Sequence, residues 1–293
     1  MFTGSHVAII TPMFADGQVD YVSLKKLINY QIDNGTDGLI IMGTTGEAAT
    51  IPFTEQLAVM QFAIDEVQGR VQIIAGNGSN STAEAVEKTK KLSELAIDGF
   101  LTVTPYYNKP TQAGMIAHFT AVAAATDKPV LLYNVPGRTG VDLHSQTVAV
   151  LSKIENIVGI KEATGSLQRL AELQSLCPAD FKLLSGDDAT ACEFLLQGGH
   201  GVISVTTNVA PLAMSQMIKA AISKDAETAQ QLDSTLQALH RDLFIESNPI
   251  PSKWALWRLG LIESDFARLP LTQLEPIHQS VIEQALHQAN LQF

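Results

Sequence analysis

Short apolar runs alternate along the chain with longer stretches in which apolar residues recur at helical spacing. Runs that are almost continuously apolar are typical of parallel strands covered by helices on both faces. Eight runs are predicted as strands: Val7–Ile10, Leu39–Met42, Val71–Ala75, Phe100–Val103, Val130–Tyr133, Ile157–Ile160, Phe181–Leu184 and Gly201–Val205. The alternation therefore predicts eight βα units in sequence.

The stretches between the runs predict amphipathic helices. A helix predicted over Thr54–Val67 carries an apolar stripe at helical spacing, formed by Leu57, Met60, Ile64 and Val67. Ser81 and Glu84 have the spacing of a capping box, which predicts that another helix begins there.

The predicted fold class is α/β, a (β/α)8 TIM barrel, because eight βα units follow one another without a Pro/Gly/Ser-rich linker. An open, doubly wound sheet is the alternative, since the strand count does not prove closure. The barrel is assigned to residues 1–223, and a carboxy-terminal helical extension packed on it to residues 224–293. In the extension, three helices and one break are predicted: Lys224–Glu246, Ser252–Leu261 and Glu275–Leu291, with the break at Asn248-Pro249-Ile250-Pro251.

Composition and charge narrow the class of protein. The 293 residues are 46% hydrophobic and carry a net charge of -11, and no stretch concentrates Lys and Arg as a nucleic-acid surface would. Since no apolar run is long enough to span a bilayer and no secretory signal is seen, we expect a cytoplasmic protein without a membrane partner. Two distant cysteines and scattered histidines resemble no metal site. Any catalysis is therefore expected to use side chains, without a metal or cofactor.

In a barrel of this type, the residues that carry chemistry follow the carboxyl ends of the strands. Five of the predicted strands end in polar strings: Gly43-Thr44-Thr45-Gly46-Glu47, Thr104-Pro105-Tyr106-Tyr107, Tyr133-Asn134-Val135-Pro136-Gly137-Arg138-Thr139-Gly140, Lys161-Glu162-Ala163-Thr164-Gly165 and Ser185-Gly186-Asp187-Asp188. These strings are expected to meet at one end of the barrel.

Lys161 ends the sixth apolar run. Strand alternation places it on the same face as Ile157 and Gly159, with Glu162 on the opposite face. If this face lines the barrel, burial disfavours the charged ammonium and favours a neutral amine that can attack a ketone. The alternative is a lysine whose amine reaches solvent at the strand end.

Hydroxyl groups and a guanidinium follow the neighbouring strands. Thr44 and Thr45 offer hydroxyls and backbone amides to a carboxylate, although the same string is typical of a strand-to-helix turn. Tyr133 and Tyr107 can relay protons together with Thr44, or they can pack as aromatic side chains at the rim. Arg138 follows a Pro-Gly turn and suits a second carboxylate, with a surface salt bridge as its alternative.

In this order, the strings resemble the dihydrodipicolinate synthases, pyruvate-dependent class I aldolases in the family that also contains N-acetylneuraminate lyase. The resemblance covers essentially the whole chain, and its most specific parts are the Thr-Thr, Tyr and Lys strings. It implies that Lys161 forms a Schiff base with pyruvate. It also implies that Thr44, Tyr107 and Tyr133 form a proton relay, with Tyr107 supplied by a neighbouring subunit.

The resemblance further implies the substrates and the assembly. Thr45 and the backbone near Gly186 and Ile203 would shape the pyruvate site, and Arg138 would hold the carboxylate of L-aspartate 4-semialdehyde. The implied reaction joins these two substrates into 4-hydroxy-tetrahydrodipicolinate, on the route to diaminopimelate and lysine, with no cofactor. A homotetramer, built as a dimer of dimers, is the implied assembly.

Many relatives are inhibited by lysine at a site in the dimer interface. The positions of this chain that match the site are Ala49, Phe53, Gln56, Asn80, Glu84 and Tyr106. Lysine-sensitive bacterial relatives carry His where this chain has Phe53 and Gln56. We therefore expect lysine inhibition to be weakened or absent.

Two rival functions remain at this stage. One is a related aldolase that acts on a sugar acid, and Arg138 argues against it. The other is a noncatalytic carboxylate sensor on the same scaffold, and the presence of every relay residue argues against it.

Overall fold

Eight parallel strands close into a barrel in the computed structural model, which describes residues 2–292. Neighbouring strands pair in chain order, and the last strand pairs back onto the first, with Gly4 opposite Gly201. The strands are β1 Gly4–Ala8, β2 Gly38–Ile41, β3 Gln72–Gly76, β4 Gly99–Val103, β5 Val130–Asn134, β6 Ile157–Glu162, β7 Lys182–Ser185 and β8 Gly201–Ser204. The pairing of β8 with β1 confirms the TIM barrel and excludes the open sheet.

All eight predicted strands are present, although their bounds differ. The largest difference is in β1, which begins and ends earlier than its apolar run. Ile10 is buried, but its N–H donates to Oδ1 of Asn208 at 3.0 Å and not to a neighbouring strand. β6 continues through Lys161 and Glu162, because strand pairing follows the backbone and is indifferent to the end of an apolar run.

Helices follow the strands and cover the outside of the barrel. They are α1 Tyr21–Asp33, α2 Phe53–Val67, α3 Thr82–Ser93, α4 Gln112–Ala123, α5 Pro136–Thr139, α6 Ser145–Leu151, α7 Leu167–Leu176, α8 Ala191–Leu196, α9 Pro211–Ile222, α10 Ala226–Asp242, α11 Ile250–Arg258 and α12 Pro276–Gln288. Among residues 2–292, no helix is long and apolar enough to cross a bilayer.

The capping box predicted at the start of α3 is only half formed. Ser81 caps the helix, since its hydroxyl accepts a hydrogen bond from the N–H of Glu84 at 3.4 Å. The Glu84 carboxylate does not return the bond: it accepts from Oγ of Ser79 at 2.8 Å and pairs with Lys88 at 3.0 Å. The prediction is therefore right about the helix start and wrong about the reciprocal bond.

The carboxy-terminal extension contains the three predicted helices α10, α11 and α12. α10 packs on α9, and α12 packs on α10 and α11. α11 begins at Ile250, earlier than predicted, because Pro251 sits in its first turn, where the missing N–H has no helical partner in any case. The predicted break thus covers only Asn248 and Pro249. The turn between α9 and α10 coincides with the predicted division at residue 224, and treating the extension as a separate unit stays a prediction.

The core has two layers, one inside the barrel and one between the barrel and its helices. The inner layer takes alternate residues of the strands, and the ring of Phe2 joins it with 1% exposure. Its buried members are Phe2, Ala8, Ile40, Ile74, Leu101, Leu131, Tyr133, Leu184 and Ile203. The inner layer leaves the carboxyl end of the barrel to polar side chains.

Candidate active site

Lys161 lies inside the barrel at the carboxyl end of β6. The residue is 5% exposed, and its Nζ lies 4.4 Å from the centroid of the Tyr133 ring. The two residues are direct neighbours on paired strands, since Tyr133 lies opposite Lys161 in the β5–β6 register. Within residues 2–292, the Lys161 amine has no carboxylate partner and no hydrogen bond. An amine in this position is open to reaction with a ligand carbonyl.

The face of β6 that carries Lys161 differs from the prediction at one residue. Gly159 shares this face, because it pairs with the inward-facing Leu131, and Glu162 is on the opposite face, as predicted. Ile157 was expected inside but packs in the outer layer. The cause is a shift in the β5–β6 register: Val130 pairs with Ile157, whereas the next residue of β5 pairs with Gly159. The extra residue in β6 breaks the alternation on which the prediction depended.

Gly186 has no side chain because Lys161 occupies the space. A Cβ built at Gly186 would lie 2.7 Å from Cε and 2.9 Å from Cγ of Lys161, and 2.8 Å from Cβ of Ala163. The N–H of Gly186 donates to the carbonyl of Glu162 at 2.8 Å, which ties the end of β7 to β6. Ile203, on β8, is 1% exposed and packs with Tyr133 in the inner layer. Gly186 thus lies against the lysine, and Ile203 belongs to the same inner layer as Tyr133.

Thr45 and Arg138 are joined through a residue that is absent from the predicted site. The hydroxyl of Thr45, which is buried, accepts a hydrogen bond from Nδ2 of Asn248 at 2.8 Å. The carbonyl of Asn248 accepts from Nη2 of Arg138 at 3.4 Å. Asn248 is itself buried, and its Oδ1 has no hydrogen-bond partner within residues 2–292. The sequence around Asn248, a proline-rich break, does not indicate this contact.

One cavity of about 490 Å³ is lined by two of the catalytic candidates and by five of the six residues predicted for a lysine site. We call it the shared cavity. Of the predicted residues, its lining includes Thr44, Ala49, Phe53, Gln56, Glu84, Tyr106, Tyr133 and Arg138. Lys161 and Asn80 are not in this lining: Nζ of Lys161 lies 4.4 Å from the Tyr133 ring centroid, and the carbonyl of Asn80 accepts from Nδ2 of Asn108 at 2.8 Å. A small molecule could therefore reach Tyr133 and Glu84 through connected space.

At the Glu84 end of the shared cavity, the side chains of Gln56 and Glu84 already have partners within the chain. The Gln56 amide donates to the carbonyls of Ala48 at 2.9 Å and Ile51 at 2.7 Å. Glu84 pairs with Lys88, whose Nζ lies 5.9 Å from the centroid of the Phe53 ring. The polar groups of this end are thus engaged within the chain.

Tyr107 does not join the other candidates in a single chain. It is 88% exposed and has a φ of 75°, a backbone conformation that L residues rarely adopt. Its backbone N–H donates to the carbonyl of Thr139 at 3.3 Å, which fixes the turn beside the cavity. The neighbouring Tyr106 is 37% exposed and lines the shared cavity.

A polar network lies on the outer face of β5 and β6, directly behind Tyr133 and Lys161. The Asn134 amide donates to Glu162 at 3.1 Å and to Asp142 at 2.8 Å, and Arg169 pairs with Asp142 at 2.7 Å. Burial raises the pKa of Glu162. Burial alone would also raise the pKa of Asp142, but hydrogen bonds from Arg169 and Asn134 outweigh it and lower that pKa. The network locks together the strands that carry the tyrosine and the lysine.

The fold and the site define a class: a (β/α)8 barrel enzyme with a buried lysine amine at the carboxyl end of its sixth strand. A sequence model of the Dihydrodipicolinate synthetase family matches residues 1–289. The chain belongs to this family, as its resemblance predicted.

Two similar sequences carry the same activity in their names. The chain is 54% identical over 291 residues to the 4-hydroxy-tetrahydrodipicolinate synthase of Pseudoalteromonas atlantica, covering 99% of both chains. It is 52% identical over 292 residues to the enzyme of the same name from Shewanella frigidimarina, covering 100% of this chain and 99% of the relative.

Solved structures agree with the fold. A chloride-inhibited dihydrodipicolinate synthase from Acinetobacter baumannii, complexed with pyruvate, superposes with a TM-score of 0.97 at 48% identity and 100% coverage of both chains. The enzyme from Cyanidioschyzon merolae with lysine bound superposes with a TM-score of 0.96 at 40% identity and 99% coverage of both chains.

Proposed function

We propose that this enzyme binds pyruvate as a Schiff base on Lys161 and condenses it with L-aspartate 4-semialdehyde to give 4-hydroxy-tetrahydrodipicolinate. The observation that carries the proposal is the buried Lys161 amine, which has no anionic partner within residues 2–292 and lies against the Tyr133 ring. The names of the relatives and the pyruvate bound by the Acinetobacter baumannii enzyme support the choice of substrates.

The chemistry follows from the amine of Lys161 and the hydroxyl groups of the site. The Lys161 nitrogen attacks the keto carbon of pyruvate, and the keto oxygen leaves as water when the C=N bond forms. The protonated imine withdraws electrons from the pyruvate methyl group, which loses a proton and becomes an enamine carbon. This carbon attacks the aldehyde carbon of the second substrate and forms the new C–C bond. The amine of that substrate then attacks the imine carbon, closes the ring and releases Lys161.

The proton transfers are assigned to a relay of hydroxyl groups. The Tyr133 ring lies 4.4 Å from the amine, measured to the ring centroid, and Thr44 lies with Tyr133 in the lining of the shared cavity. Tyr107 is proposed as the third member, supplied by a neighbouring subunit, since in its own chain it points to solvent at 88% exposure. This assignment requires self-association, and a homotetramer is the proposed assembly.

Four further residues are proposed to shape the two carboxylate positions. Thr45 and the backbone at Gly186 and Ile203 surround the pyruvate end, where Gly186 leaves space for the lysine side chain. Arg138, tied to Asn248, is proposed to bind the carboxylate of the aldehyde through its planar guanidinium. In a sugar-acid substrate, the aldehyde part carries hydroxyl groups and no carboxylate that a guanidinium at that point could bind.

Lysine feedback is proposed to be weak in this enzyme, although the Cyanidioschyzon merolae structure has lysine bound. The matching positions are Ala49, Phe53, Gln56, Asn80, Glu84 and Tyr106. The amide of Gln56 is engaged with two backbone carbonyls, and the carboxylate of Glu84 already holds the ammonium of Lys88. A cytoplasmic location is proposed with this biosynthetic role.

Intact mass after borohydride treatment with pyruvate tests the proposal. Borohydride reduces the imine to a stable secondary amine, so the native chain is expected to gain one reduced pyruvyl group, and Lys161→Ala to gain none. Addition of L-aspartate 4-semialdehyde should then consume both substrates with the native chain only. An unmodified native chain would overturn the mechanism and favour a noncatalytic sensor. An adduct without consumption of the aldehyde would favour an aldolase for another substrate.

A further inference from the structure

Two strained residues mark the ends of the segment Gly43–Glu47, which carries Thr44 and Thr45: Met42 precedes the segment, and Glu47 is its last residue. Met42 has a φ of 57° and Glu47 a φ of 58°, both in the left-handed region that residues with a Cβ avoid. Such conformations persist where surrounding contacts determine them. The segment therefore depends on contacts outside itself for its shape.

Glu47 forms an ion pair with Lys253 that is completely removed from solvent. Both side chains are 0% exposed. The Lys253 ammonium also donates to the carbonyl of Phe266 at 2.7 Å, and the second Glu47 oxygen accepts from the N–H of Arg268 at 2.9 Å. Burying two charges costs about as much as their attraction returns, so such a pair is poorly explained by stability alone. A fixed geometry at Glu47 is what the pair provides.

The same part of the extension holds the segment at a second point. Asn248, just before α11, donates to the hydroxyl of Thr45, whereas Lys253, within α11, holds Glu47. Inside the segment, the N–H of Glu47 donates to the carbonyl of Thr44 at 3.1 Å. The position of α11 is thus transmitted to both threonines through short contacts.

We propose that Glu47 and Lys253 are positioning residues that set the placement of Thr44 and Thr45 around the pyruvate carboxylate. This inference rests on the proposed function, because it assigns the carboxylate of pyruvate to these threonines. The carboxy-terminal extension then contributes to the substrate site, because its residues hold the segment Gly43–Glu47 of the barrel in place. Neither Glu47 nor Lys253 touches the substrate in this arrangement.

Three variants test the pair: Lys253→Met, Glu47→Gln and the double variant. The readout is the pyruvate concentration that gives half-maximal adduct in borohydride trapping. Each single change is expected to raise that concentration by about tenfold, since a displaced binding group costs on the scale of 10²-fold per 1 Å. Because the two groups act as one unit, the double variant should be no worse than the worse single variant.

Leu239→Ala is the matched control for a merely structural role. Leu239 is 0% exposed in α10, so its truncation leaves a cavity in the same extension without touching the segment. It should lower the melting temperature and leave the half-maximal pyruvate concentration unchanged. Glu47→Gln keeps the shape of the side chain and carries the test if Lys253→Met fails to fold.

The outcomes separate the two levels of the proposal. If the native chain forms no adduct, the proposed function fails. If the native chain forms it, two results would overturn the positioning role: unchanged half-maximal pyruvate in Glu47→Gln and Lys253→Met, or an equal rise in Leu239→Ala at the same loss of melting temperature.

Discussion

A methyl group added at Gly186 should disable the amine without removing it. In Gly186→Ala, the new Cβ would lie 2.7 Å from Cε of Lys161, whereas ordinary contacts begin at 3.4 Å, so atoms must separate by about 0.7 Å. Bending the lysine tip alone does not relieve the overlap, because Cγ of Lys161 is at 2.9 Å and Cβ of Ala163 at 2.8 Å. The backbone of β6 or β7 must therefore move.

The expected magnitudes differ for stability and for reactivity. Overpacking of this kind costs about 1–3 kcal/mol of unfolding free energy, which a barrel of this size can tolerate. Misplacing a reacting group by close to 1 Å costs up to about 10²-fold in rate. We therefore expect a folded Gly186→Ala protein in which imine formation is slower by about 10-fold to 100-fold.

The assay is time-resolved borohydride trapping of the pyruvate adduct, followed by intact mass. Gly137→Ala is the control, since a Cβ there would meet nothing within 4 Å although Gly137 also lies beside the site. The control should form the adduct at the native rate. A folded Gly186→Ala protein that reacts as fast as the native chain would refute the argument that this glycine reserves the space of Lys161.

Three further predictions concern the second substrate, the buried carboxyl group and feedback. Arg138→Ala should raise the KM for the aldehyde by about tenfold or more and leave pyruvate trapping unchanged; an unchanged KM would contradict its role. Burial raises the folded-state pKa of Glu162 above its usual 4.5, so ionisation of this carboxyl group lowers the stability of the native protein as the pH rises above 4.5. The melting temperature of Glu162→Gln should therefore rise relative to that of the native protein as the pH increases from 4.5. A difference in melting temperature that does not change with pH would contradict this. Initial rates across a lysine titration should show weak inhibition of the native enzyme and stronger inhibition of a Phe53→His/Gln56→His variant. Inhibition of the native enzyme by micromolar lysine would contradict the prediction.

The strands of the barrel could be predicted from the sequence because they are covered on both faces. Such strands are apolar along their length, so their number and order stand out, as Leu39–Met42 and Val130–Tyr133 illustrate. Their bounds are set by backbone pairing, which is why β6 includes two charged residues that no apolar run would contain. Closure itself depends on β1 meeting β8, a contact between residues about two hundred positions apart.

Some residues of the site could be predicted from the local sequence, whereas others are brought to it by contacts between distant parts of the chain. Lys161 and Tyr133 lie at the carboxyl ends of their strands and Arg138 follows one, so the fold class alone indicates the end of the barrel at which they lie. Asn248 contacts Thr45 across 203 residues of sequence, and a proline-rich break carries no signal for such a contact. The proposed role of Tyr107 would require a second chain, because in its own chain the residue is 88% exposed and does not join the other candidates.

The extra residue in β6 separates the structural roles of the two ends of that strand. Above it, Lys161 keeps its partner Tyr133 through strand pairing, and below it Ile157 packs against the helices. Deletion of Val158 should restore a regular strand in which Gly159 still pairs with Leu131 and Lys161 with Tyr133. A change of one residue at the amino-terminal end of β6 would thus leave the strand register at Lys161 unchanged.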